Sequence, residues 1–245
     1  MAQFDLHLIA AHLEGLEETI ISKLIDRAQF YANLRVYKKG QSGFVNENRL
    51  SLFEIRLLYQ ERMDSQFGRF CVPEERPFDK KLPRPRRVAK LPSTGLKIAG
   101  YDKINVTRDI LPDYLNLIPQ ICRKGVDGHF GSSVEHDVYA VQAISRRIHY
   151  GAMFVAECKF KTEPALYRKL ITKRDIGTLT ENLTRIEVEE RIIGRIHEKV
   201  EKAQANVNTE VRVVIDPQVV VDFYRNTIIP LTKKGEIMYL LNRTL

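Results

Sequence analysis

The residues best placed to do chemistry are charged side chains in register with apolar helical stripes. In 185–205, Glu189 precedes Ile192 and Ile193 by three and four residues, so its carboxylate points the same way as they do. Arg185 lies four residues earlier on that line. In 230–243, Thr232 and Glu236 are four apart and Leu240 continues the row. In 133–160, Arg147 follows Ile144 by three and Lys159 closes the segment. Read singly, each has an ordinary explanation: an i,i+4 ion pair, a solvated helix face or an exposed basic face. Lys233 and Lys234 read as solvent-facing. Read together, two cations and two carboxylates from three helices describe a polar pocket inside a helical bundle. Unpaired buried cations are costly, so such a pocket calls for an anion, and a small dianion fits.

The elements that must carry these residues are helical almost throughout. Residues 5–31 repeat Leu6, Ile9, Leu13, Leu16, Ile20 and Leu24 at steps of three and four, and 49–68 continues with Leu50, Phe53, Leu57 and Leu58. Prolines between Pro73 and Pro92 then break the pattern. The expected helices beyond are 103–123, with Pro112 and Pro119 marking bends or ends, then 133–160, 164–173, 175–182, 185–205, 217–228 and 230–243. The β-branched run Val211 to Ile215 allows at most a stray hairpin near 208–215. The expected fold is an all-α, single-domain helical bundle over 1–245, with a basic Pro-rich loop at 71–98.

Composition narrows the function. The 245 residues carry 39 Lys and Arg against 31 Asp and Glu, a net charge of +8 that favours anionic partners. Arg76, Lys80, Lys81, Arg84, Arg86, Arg87 and Lys90 crowd one stretch against Asp79 alone. That stretch also resembles a nuclear-import signal, but a solvated loop is its ordinary reading, and no nucleic-acid partner is expected. No apolar run reaches the roughly eighteen residues of a membrane span, and no signal peptide is visible. Cys71, Cys122 and Cys158 form no CxxC pair and the histidines form no HxxxH, so no metal is expected. A reduced, cytoplasmic setting is expected; the alternative is a secreted protein.

Several segments together resemble the eukaryotic all-helical chorismate mutases. They are Glu17-Glu18-Thr19-Ile20-Ile21, Ser145-Arg146-Arg147-Ile148-His149-Tyr150-Gly151, Phe154-Val155-Ala156-Glu157-Cys158-Lys159-Phe160, Phe130-Gly131-Ser132, Val188-Glu189-Glu190 and Ile229-Pro230-Leu231-Thr232-Lys233 with Glu236. The likeness runs in order along nearly the whole chain. It implies a homodimer of all-α subunits that rearranges chorismate to prephenate with no cofactor, by positioning and electrostatics. On this resemblance Arg147 grips a carboxylate and Thr232 helps hold it. Lys159 and a protonated Glu236 donate to the ether oxygen, and Glu189 accepts from the ring hydroxyl.

Three positions depart from the family pattern. Ala10 stands where an arginine is usual, and Arg185 stands where an asparagine is usual. Arg147 and Lys159 are one residue further apart than usual, for which a wide turn between Tyr150 and Val155 would compensate. Arg185 is the expected replacement for the cation missing at 10. The family's effector site implies regulatory roles for Arg69, Gly131 and Ser132, yet Gly68 replaces a cation there and Glu135 a threonine. The expectation is a chorismate mutase free of control by tyrosine or tryptophan. The alternative is a catalytically impaired relative that acts as a binding or interaction protein, such as a secreted effector.

Overall fold

The computed structural model describes residues 5–87 and 90–244. The expectation of no signal peptide therefore rests partly on residues outside this range, and 88–89 of the basic loop lie outside it too. Asp5 opens α1 (Leu6–Ala28) by accepting the amide of His7. Ser51 and Glu54 close a reciprocal capping box at the start of α2 (Leu52–Gln66). Then follow α3 (Thr107–Ile121), α4 (Phe130–Tyr150), α5 (Ala156–Thr162), α6 (Pro164–Lys173), α7 (Ile176–Leu183), α8 (Ile186–Gln204), α9 (Pro217–Phe223) and α10 (Ile229–Asn242). Pro112 and Pro119 lie inside α3 rather than ending it. The segment Val211–Ile215 forms no hairpin. Among the described residues there is no strand, only one isolated bridge between Ile98 and Arg243.

Two junctions depart from α geometry. Gly151–Val155 forms a π-helical turn joining α4 to α5, and Tyr224–Ile228 forms another joining α9 to α10. The expected break between 228 and 230 is therefore absent, because Pro230 occupies the first turn of α10, where no amide is needed.

One apolar cluster gathers Ile20, Leu24, Tyr114, Val138, Ile144, Ile196 and Tyr224; a second gathers Ile104, Met153, Phe160, Leu179 and Leu240. Within the first, Arg27 and Asp137 form a fully buried pair at 2.7 Å, and the hydroxyls of Tyr37 and Tyr114 also donate to Asp137. Partners on every side make this burial tolerable.

Between 72 and 97 the described residues of the Pro-rich stretch form no helix or strand, and they are fastened as a strap to α2. Glu61 accepts the amides of Phe78 and Asp79, Ser65 donates to the Pro83 carbonyl, and the Arg86 amide donates to the Gln66 carbonyl. Arg76 departs from the expected surface patch. It is buried, bonds Asp102 at 2.7 Å and donates to the carbonyls of Phe70 and Val72. No described helix is long and apolar enough to cross a membrane.

Candidate active site

A cavity of about 490 Å³ opens between the first half of α1, the π turn with α5, the start of α8 and α10. Arg147, Lys159, Arg185, Glu189, Thr232 and Glu236 all line it. The π turn brings Lys159 to the Arg147 face. Twelve plain α steps of about 100° would leave the two roughly 120° apart, whereas absorbing one residue leaves about 20°. Gly151 makes the close packing possible: a Cβ there would stand 2.9 Å from Thr232 Cγ2. A Cβ on Gly235 would stand 2.6 Å from that of Ala152. The π turn and α10 thus meet almost backbone to backbone.

Arg147 is buried and donates from Nη1 to Thr232 Oγ1 at 3.0 Å, while the Thr232 hydroxyl donates to the Ile228 carbonyl. The Nε of Arg147 is buried with no partner, as is the hydroxyl of Tyr224. Glu17 lies 4.0 Å from Arg147 and is held bidentately by Arg195 at 2.8 and 2.9 Å, with Lys199 at 3.4 Å. Lys159 donates at 3.0 Å to both Glu236 Oε2 and the Leu183 carbonyl. Its ammonium has three protons, so one is left for a ligand. Burial raises the pKa of Glu236, and the Lys159 ammonium partly opposes it.

Two expectations need correction. Lys233 is not on the solvent side. It is half-buried, lines the cavity, and pairs with Glu189 at 2.8 Å. Arg185 is not on the inward stripe of α8. It is the N-cap residue, with extended backbone (φ −130°, ψ 92°), and its side chain is exposed at the cavity mouth. Only its carbonyl joins the helix, accepting the Glu189 amide at 3.1 Å.

Residues missed in the sequence reading are Arg195, Lys199 and the role of Glu17. Glu17 carried a legible signal: it is fully buried on the line of Leu13 and Ile20. A carboxylate there demands cations from the facing helix.

The expected regulatory residues do not meet within one chain. Arg69 is bound to Asp64 at 2.9 Å, Glu75 at 3.0 Å and Gln142 at 2.7 Å. Gln142 is about 15 Å along α4 from Ser132 by helical rise. Gly131 and Glu135 line a smaller, more open apolar cavity of about 330 Å³ with Phe44, Ile55 and Tyr59. Arg56 pairs with Glu135 at 3.2 Å.

Comparison with known proteins places these observations. The chain is 38% identical to the chorismate mutase of Schizosaccharomyces pombe over 99% of its own length and 98% of the relative's. It is 34% identical to that of Saccharomyces cerevisiae, over 98% and 95%. No family model matches. The structure superposes on the Candida albicans chorismate mutase in complex with L-Trp at a TM-score of 0.88, with 36% identity, covering 98% of this chain and 92% of that one. For the chloroplast chorismate mutase of Zea mays the score is 0.83, with 35% identity over 95% and 92%. AtCM1 with tyrosine in its allosteric site gives 0.84, with 34% identity over 95% and 94%.

Proposed function

The chain belongs to the chorismate mutase family, and from that premise we propose that this cavity binds chorismate and rearranges it to prephenate. The observation that carries the proposal is the buried Arg147, whose Nε has no partner, on the same wall as Lys159 and across from a carboxyl that burial keeps protonated more readily. Arg147, steadied by Thr232, holds one substrate carboxylate. The free proton of Lys159 and the acid proton of Glu236 meet the negative charge that grows on the ether oxygen as its C–O bond breaks. Glu189, held by Lys233, accepts from the ring hydroxyl, and Arg185 adds positive charge at the mouth. The rearrangement is intramolecular: no atom leaves, and no metal or cofactor has a part in it. The cavity contributes a compact substrate conformation and fixed donors where charge develops.

The test is prephenate formation by the purified protein across a pH range. Turnover without added metal or cofactor supports the proposal. Chorismate binding without turnover overturns it in favour of an impaired binding protein.

The reading covers the whole chain as one domain, since Met238 of α10 packs against both apolar clusters. It includes a homodimer, tested by the mass in solution. A reducing, cytoplasmic setting is read from the cysteines in the sequence: Cys71, Cys122 and Cys158 are odd in number, far apart and form no CxxC pair.

Regulation is proposed to differ from relatives that hold aromatic amino acids. The Arg69 guanidinium is already shared between two carboxylates, Gly68 brings no cation, and Glu135 adds negative charge beside Gly131. Calorimetric titration with tyrosine or tryptophan at millimolar concentration is expected to show no saturable binding. A clear isotherm with either would show a rebuilt site.

A further inference from the structure

We infer that Arg191 holds the second carboxylate of the substrate, in the space that Ala10 leaves open on the facing helix. The inference rests on the dianionic substrate proposed above and adds the residue that completes its binding. Arg147 grips one carboxylate only. The other cations facing the cavity are largely committed: Lys159 to Glu236, Lys233 to Glu189, and Arg195 to Glu14 and Glu17. Among the described residues, Arg185 and Arg191 line the cavity with no side-chain hydrogen bond or ion pair.

Helix register separates these two. Glu14 of α1 pairs with Arg195 of α8 at 3.1 Å, and Glu18 pairs with Lys199 at 3.0 Å. Both steps are four residues in the same chain direction, so α1 and α8 run parallel and keep step over that turn. One turn back from Glu14 and Arg195 come Ala10 and Arg191, and both line the cavity. Alanine fills nothing beyond its Cβ, so a long side chain from α8 has room over it. Arg185 is six residues before Arg191, which in the same register falls before α1 begins at Leu6. Its guanidinium instead lies near Tyr167 of α6, which also lines the cavity.

The electrostatics point the same way. A second substrate carboxylate entering between α1 and α8 meets Glu14 and Glu17, whose charge Arg195 and Lys199 already balance. Without a further cation it would be desolvated beside two carboxylates. Arg191 supplies that cation about one turn from the Arg195 cluster.

The test is Arg191→Ala, assayed for turnover and, by calorimetry, for chorismate binding. Because the contact exists in both ground and transition states, KM is expected to rise about 10- to 100-fold with kcat little changed. Arg191 is exposed, so the thermal midpoint should not move. Adding Ala10→Arg should restore KM by bringing the cation from the opposite helix. Arg212→Ala, the same charge removed from the exposed α8–α9 connection, should leave KM unchanged. An Arg191→Ala enzyme with wild-type KM and chorismate affinity overturns the inference while leaving the chorismate mutase reading intact. So does an equal loss in Arg212→Ala, or a failure of Ala10→Arg to rescue. A wild-type protein that binds chorismate without turnover sinks the reading, and weakened binding in Arg191→Ala would still support the inference.

Discussion

Glu236 is the side chain whose proton the proposed chemistry uses. Burial raises its pKa, with Lys159 opposing, and it donates only when protonated. Activity should therefore be highest on the acid side and fall as pH rises through its folded pKa. Glu236→Gln keeps a donor at every pH, so its kcat/KM profile should lose that fall. Above the transition the wild type should lose up to about a hundredfold, the scale of one donor at a developing oxyanion. A wild-type profile that climbs with pH would reject Glu236 as the acid. Thr232 and Glu236 were legible in the sequence because four-residue spacing put both on one apolar row. Lys233 was not, since two adjacent lysines look alike until Glu189 is placed beside one of them. Arg185 was misread because a residue four before Glu189 shares its face only if the helix has already begun, and here it begins one residue later.

The helices themselves were largely readable, since their apolar residues recur with the α period. The turn at Gly151–Val155 was readable only through the spacing of Arg147 and Lys159. The second, at Tyr224–Ile228, left no such mark: the charge upstream in α9, Asp222, is exposed and shares no apolar row with the polar residues of α10, so its phase could not be compared with theirs. These two turns set the phase of α5 and α10, and the contact between Gly235 and Ala152 holds the segments together. Gly235→Ala would place a Cβ 2.6 Å from that of Ala152. Neither atom is at the flexible end of a side chain, so α10 must shift. The expected cost is about 1–3 kcal/mol in stability. A drop in kcat should accompany it, because the neighbouring Glu236 moves with the helix. Denaturant titration and turnover measured on the same sample check both; unchanged values in each would show that the contact relaxes freely.

Across the molecule, pH also acts on the fold through buried groups that do not line the cavity. His149 is fully buried, donates from Nδ1 to the Ser145 carbonyl and accepts at Nε2 from the Val106 amide. A second proton would face that amide, and burial lowers its pKa from 6.5 to about 3. The unfolded chain takes up the proton below 6.5 and the folded one does not, so this contribution to stability is lost as pH falls from 6.5 towards 3. The slope is at most about 1.4 kcal/mol per pH unit. Glu61, pushed up to about 7 from 4.5 by burial, gives the opposite slope between those values. The His149 contribution is therefore read as the difference between wild type and His149→Gln. The variant should be less stable at pH 7 but lose less between pH 6 and 4; parallel losses would exclude His149 as the source. The wide turn after α4 also bears on how the gene can change. An insertion or deletion inside a helix ordinarily rotates everything downstream and is purged. At Gly151–Val155 the loss of one codon would straighten the turn and leave Lys159 facing the way it does now. That stretch is thus a spare codon within a helix, a place where the reading length of the gene and the face of the protein are uncoupled.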